Sequence, residues 1–102
     1  MFASFIEMKL KPGKMAEAVL MTKTMQADLQ AMGMKQMIIV DKGNDNAMLL
    51  AIYETAQAQE SATPKAIEII GKLGVLFESP PARMQVKVPI NFNFYCAFKH
   101  RA

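Results

Sequence analysis

The chain has 102 residues, 52% hydrophobic and 21% charged, which fits one domain with one core and excludes a disordered chain or a two-domain protein. Twelve Lys and Arg against nine Asp and Glu leave a net charge of +3, but only Arg83 and Arg101 are arginines and the lysines are scattered from Lys9 to Lys99. A nucleic-acid surface gathers its cations on one face, so no nucleic-acid partner is expected.

Phe2 to Lys11 reads as the first strand. Ile6, Met8 and Leu10 share one face, and Phe5, Glu7 and Lys9 share the other, because successive side chains alternate. Pro12-Gly13 breaks it. Lys14 to Met32 reads as the first helix. Met15, Ala18, Val19, Thr22, Met25, Leu29 and Met32 recur at spacings of three and four and make an apolar stripe. Gly33 is its natural stop.

Met34 to Asp41 reads as the second strand, and Lys42 to Asn46 as a turn. Ala47 to Tyr53 is the third strand. Its run Met48-Leu49-Leu50-Ala51-Ile52 is apolar on both faces, so both need cover. Helices can cover one face; a second copy of the chain is expected to cover the other.

Glu54 to Ala62 reads as a short helical turn. Thr63-Pro64 then restarts the helix, with Thr as cap and Pro in the first turn. The second helix runs to about Phe77, with Ile67, Ile70, Leu73, Gly74 and Phe77 on its buried stripe. Gly71 and Gly74 suggest a close approach to the sheet or a ligand. Ser79-Pro80-Pro81 ends the helix. Arg83 to Ile90 is the last strand, with Met84, Val86, Val88 and Ile90 on one face and Arg83, Gln85 and Lys87 on the other.

This order is that of an α+β, ferredoxin-like βαββαβ domain over residues 1–90, with an antiparallel four-stranded sheet in the order 4-1-3-2 and both helices on one face. Residues 91–102, NFNFYCAFKHRA, form an aromatic tail. Phe92, Phe94, Tyr95 and Phe98 crowd into seven positions, unlike a disordered end. The tail is expected to be extended and to pack at the dimer interface, as an added strand on the partner's sheet.

Three cues together resemble a known group. A strand ending Leu10-Lys11-Pro12-Gly13-Lys14 runs into an amphipathic helix. A strand ending Ile52-Tyr53-Glu54-Thr55 leads into a polar helical turn. A long helix closes with Glu78-Ser79-Pro80-Pro81 before the final strand. Over residues 2 to 90 this is similar to the antibiotic biosynthesis monooxygenase-like group of the dimeric α+β barrel superfamily. The resemblance implies a homodimer with a small cavity between sheet and helices. It also implies oxidation of small aromatic molecules without metal or flavin, so no cofactor is expected. A branch of the group degrades haem with a histidine in the second helix and a nearby tryptophan. Residues 55–81 hold neither, and the chain has no Trp, so haem is disfavoured. Tyr53 stands where the group commonly has Trp.

The chemical candidates are few. His100 is the lone histidine, and one imidazole cannot build a metal site. Cys96 is the lone cysteine, so no internal disulfide forms, which suits a reducing cytoplasm. It reads as a packed residue and not a nucleophile, since no base is placed beside it. Glu54 and Glu60 read as helix-start carboxylates. Tyr53, at a strand end, can donate a hydrogen bond to a carbonyl or phenol, or can serve as a sheet-edge aromatic. Ten methionines include Met8, Met25, Met37, Met48 and Met84 on expected buried faces, where Met fills gaps or walls a soft pocket. Tyr53, Met25, Met48 and Phe77 are the candidate ligand-binding residues. The opening MFASFIEMKLKPGK is interrupted by Glu7 and is not expected to be a signal peptide. No run approaches membrane length, so no membrane partner is expected. Two functions remain open: a cofactor-free monooxygenase of a small apolar or aromatic molecule, and a non-catalytic binding or accessory dimer on the same scaffold.

Overall fold

The computed structural model describes residues 1–94. The elements are β1 (Phe2–Lys9), α1 (Met15–Thr24), α2 (Gln26–Ala31), β2 (Gln36–Gly43), β3 (Asn46–Tyr53), α3 (Ala56–Leu73), a single 3-10 turn (Gly74–Leu76) and β4 (Ala82–Lys87). The four strands form one antiparallel sheet in the order β2-β3-β1-β4, the expected ferredoxin-like order. Asn44 and Asp45 take φ of 52° and 62°, so the β2–β3 hairpin closes through two left-handed residues, as a tight turn of matching twist requires.

Pairing register sorts the two faces. One row across the sheet is Ile39, Leu49, Ile6 and Arg83; the neighbouring row on the opposite face is Ile38, Leu50, Phe5 and Met84. The first row faces the helices. The second row carries no helix, and Met84 is 59% exposed although expected on a buried face. Beneath the helices the core divides into two clusters. One gathers Leu10, Leu76 and Phe77, with Met8, Met15, Ala18 and Met21 against them. The other gathers Ala51, Tyr53 and Ala62, with Met32, Met34 and Leu49.

The helices depart from the sequence reading in three ways. The first helix is interrupted at Met25, whose φ and ψ of −96° and 11° separate α1 from α2. The helix after β3 is continuous through Pro64, and its cap is Thr55, not Thr63: the Thr55 side chain accepts from the Ala58 amide at 3.0 Å. The buried stripe therefore begins about two turns earlier and runs Gln59, Ala62, Ala66, Ile69. Ile67 is 62% exposed, one position out of phase with it. Gly71 and Gly74 do not mark a close approach, since a Cβ at either would meet nothing within 4 Å.

β4 ends at Lys87 and not at Ile90. Val88 still donates to the Met1 carbonyl at 3.0 Å, after which Pro89 has no N–H to continue the ladder. The tail residues 91–94 take no regular structure, and Phe92 and Phe94 are 72% and 88% exposed. Tyr95, Cys96, Phe98 and His100 lie outside the described residues.

Candidate functional site

Tyr53 ends β3 with its ring turned toward the helices. At 1% exposure it is one of the two largest fully buried side chains. Burial pushes its phenol above the ordinary value of 10.0, against a smaller opposing pull from the Arg83 guanidinium. The hydroxyl therefore stays protonated and remains a hydrogen-bond donor at neutral pH.

Tyr53 lines a cavity between the sheet and the helices. The sheet supplies Ser4, Ile6, Met37, Leu49, Ala51 and Arg83. The segment around α2 supplies Leu29, Met32 and Met34, and α3 supplies Ala66, Ile69 and Ile70. All but three of these side chains are apolar. The cavity has a volume of about 50 Å³. That holds water but falls short of the roughly 300–1,000 Å³ of ordinary ligand pockets. The three methionines are the walls that can move, since an unbranched thioether re-packs at low cost.

Two of the polar residues, Ser4 and Arg83, sit on a connected set of hydrogen bonds with Gln59. Arg83 Nη2 donates to Ser4 Oγ at 3.2 Å. Gln59 Nε2 donates to the same oxygen at 3.3 Å and to the Ala3 carbonyl at 2.8 Å. Two donors from β4 and α3 thus converge on one hydroxyl of β1 and fix the guanidinium against the sheet. Arg83 Nε is buried and has no hydrogen-bond partner. No Asp or Glu oxygen lies within ion-pair distance of Arg83 among the described residues, which include all nine acidic side chains of the chain.

Phe77 lines a second apolar cavity of about 40 Å³, with Met8, Leu10, Met15, Val19, Ile39 and Leu73. Leu49 is a wall of both cavities. The four sequence candidates are therefore not brought together. Tyr53 and Phe77 line neighbouring cavities. Met25 sits at the α1–α2 junction and lines neither. Met48 pairs with Glu7 and Val40 on the opposite face of the sheet. Arg83, Ser4 and Gln59 are the site residues that the pattern did not single out. One signal was available for Arg83: it is one of two arginines in a lysine-rich chain, and strand alternation puts it opposite the apolar Met84 and Val86. Among the described residues no carboxylate or imidazole lines the Tyr53 cavity. Among the described residues no group of three His, Cys, Asp or Glu could hold a metal ion.

No protein-family model and no curated protein sequence matches the chain. Solved structures do resemble it. A protein of unknown function from Nitrosomonas europaea, NE2512, superimposes with a TM-score of 0.76 at 15% identity, covering 93% of this chain and 95% of that one. A candidate antibiotic biosynthesis monooxygenase from Nitrosomonas europaea gives 0.72 at 12% identity, over 88% and 100%. SnoaB, a cofactor-independent oxygenase from Streptomyces nogalater, gives 0.70 at 11% identity, over 88% and 95%. At these identities the likeness is one of fold. The chain has the ferredoxin-like fold of the antibiotic biosynthesis monooxygenase-like proteins.

Proposed function

We propose that the chain is a cofactor-independent monooxygenase of a small apolar or aromatic molecule, working as a homodimer. The observation that carries this reading is Tyr53: a protonated phenol, buried at the polar end of an otherwise apolar cavity. The fold shared with a cofactor-independent oxygenase supports it. In such chemistry the substrate loses a proton to give a delocalised carbanion. That carbanion reduces dioxygen and combines with it, and the peroxide collapses so that one oxygen atom stays in the product carbonyl and the other leaves as water. The protein's part is to exclude water, to orient the substrate, and to place a donor where negative charge grows on its oxygen. In this reading Tyr53 supplies that donor.

Among the described residues the cavity walls carry no carboxylate or imidazole, which favours a second reading, a binding or accessory protein that performs no proton abstraction. Oxygen uptake with hydroquinone-type aromatics separates the two. Uptake lost in Tyr53→Phe supports the enzyme; binding of the aromatic without uptake by the wild type supports the accessory protein.

The dimer reading rests on the helix-free face of the sheet. Ile38, Leu50, Phe5 and Met84 form an apolar row across all four strands, flanked by Val40 and Val86. A monomer rarely exposes so continuous a patch, and a two-fold pair buries it against itself. Residues 91–102 are assigned to the same interface as an extended tail across the partner. Truncation after Ile90 should then lower the melting temperature or dissociate the dimer; a truncated dimer of equal stability would remove the tail from the interface. No helix among the described residues is long and apolar enough to cross a membrane. The single cysteine suits a cytoplasmic site of action.

A further inference from the structure

Arg83 is the one charged group in the lining of the cavity among the described residues, and the oxygenase reading leaves it unused. Its guanidinium is held against the sheet by Ser4, and its Nε is buried without a partner. Native proteins seldom bury such an N–H unless something absent from the isolated chain satisfies it. The charge is unanswered as well. All nine acidic side chains of the chain lie among the described residues, and none reaches Arg83 within ion-pair distance. A guanidinium cannot shed its charge by deprotonation, and no acidic side chain of the chain answers it, so a carboxylate brought by a ligand would find an unpaired partner here.

We infer that the ligand of this cavity is an apolar acid whose carboxylate pairs with Arg83 while its hydrocarbon body lies among Met32, Met34, Met37 and Ile69. The Nε–H and a second N–H on Nη2 share one edge of the guanidinium. That edge matches the two oxygens of a carboxylate, a geometry that neither a ketone nor an alcohol reproduces. Nη2 carries two N–H groups, so its bond to Ser4 leaves one for the ligand. Tyr53 lines the same cavity and supplies a neutral donor. The methionine walls accept an apolar body of varying shape. The inference deepens the proposed function by naming the substrate class, and it rests on the same cavity being the binding site.

Benzoate and benzamide are the probes. They are nearly equal in shape and differ in charge. Binding to the full-length protein is followed by calorimetry and by methionine-methyl NMR shifts. Benzoate should bind at least about tenfold more tightly than benzamide, the discrimination expected of a charge-assisted pair. It should shift the methyl signals of Met32, Met34 and Met37. Arg83→Gln should erase the preference, bringing benzoate down to the affinity of benzamide. If Arg83→Gln fails to fold, the wild-type comparison of the two probes decides alone. Equal affinities, or a preference that survives Arg83→Gln, would overturn the inference. So would an Arg83→Gln protein that dissociates while benzoate leaves the wild type unshifted, because the counter-charge would then come from a second copy. The outcomes separate from those of the oxygenase reading. Benzoate binding without oxygen uptake on any aromatic acid keeps the carboxylate site and removes the enzyme. Uptake on neutral hydroquinones with no benzoate preference keeps the enzyme and removes the carboxylate site.

Discussion

Gln59 Nε2 on α3 donates to the Ala3 carbonyl on β1 at 2.8 Å, joining residues 56 apart in sequence. The same amide reaches Ser4 Oγ, so one buried side chain ties the long helix to a central strand and braces the hydroxyl that holds Arg83. Gln59→Ala should cost about 1–3 kcal/mol, because it removes buried hydrogen bonds and puts nothing polar in their place. Urea unfolding should show a lower midpoint with an unchanged slope. An unaltered midpoint would mean that the brace carries no stability.

Tyr53 gives a pH dependence of definite sign. Burial raises its pKa, so the folded protein holds the phenolic proton more tightly than the unfolded chain does. Stability from this group is complete below pH 10 and is lost as the pH rises above it, toward the folded-state value. Thermal melts between pH 9 and 11 should show a steeper decline for wild type than for Tyr53→Phe. Parallel declines would place the ring in water.

Pro64 sits in the middle of α3, where it removes a backbone N–H from the helix ladder. Residue 64 is exposed, so its side chain contributes little packing. Pro64→Ala should raise stability by about 1–3 kcal/mol, and the melting temperature should increase. A decrease would show that the proline ring supports a bend that the fold needs.

The apolar sheet face makes its own prediction. Val86→Glu puts a charge beside Phe5, Met84 and Ile52 on the helix-free side. Light scattering should then report the 11.3 kDa monomer where the wild type gives twice that mass. A wild type that is itself monomeric at micromolar concentration would remove the dimer altogether.

Strand order and the sorting of the sheet faces were legible because alternation in β1 and β3 is unambiguous: Ile6, Met8 and Leu10 could sit only on one side. The α3 phase was not. Thr63-Pro64 carries the chemistry of a helix start, yet Thr55 has an equal capping side chain and begins the helix about two turns earlier. That shift turned Ile67 outward and brought Gln59 inward. Tyr53 was legible as a strand-end donor. Arg83 was not, because alternation in β4 sets Arg83, Gln85 and Lys87 opposite Met84 and Val86 without saying which face the helices cover. Polar alternation shows that a strand has two unlike faces, but not which one the helices cover. Met48 was placed by hydrophobicity, and on a strand apolar on both sides hydrophobicity does not choose a side.

The α1–α2 interruption at Met25 has a consequence for how the cavity is reached. Neither α1 nor α2 contains a fully buried residue, whereas α3 carries four. Leu29, Met32 and Met34, which roof the Tyr53 cavity, therefore belong to the weakly anchored part of the chain, and the floor belongs to the sheet. Segments with few buried contacts open locally at small free-energy cost, independently of global unfolding. Amide hydrogens of residues 26–34 should thus exchange with solvent by such local opening, and those of β1 and β3 only through much larger events. A ligand bound beneath that roof would slow the first set selectively, so deuterium uptake reports occupancy of the cavity even when no reaction follows.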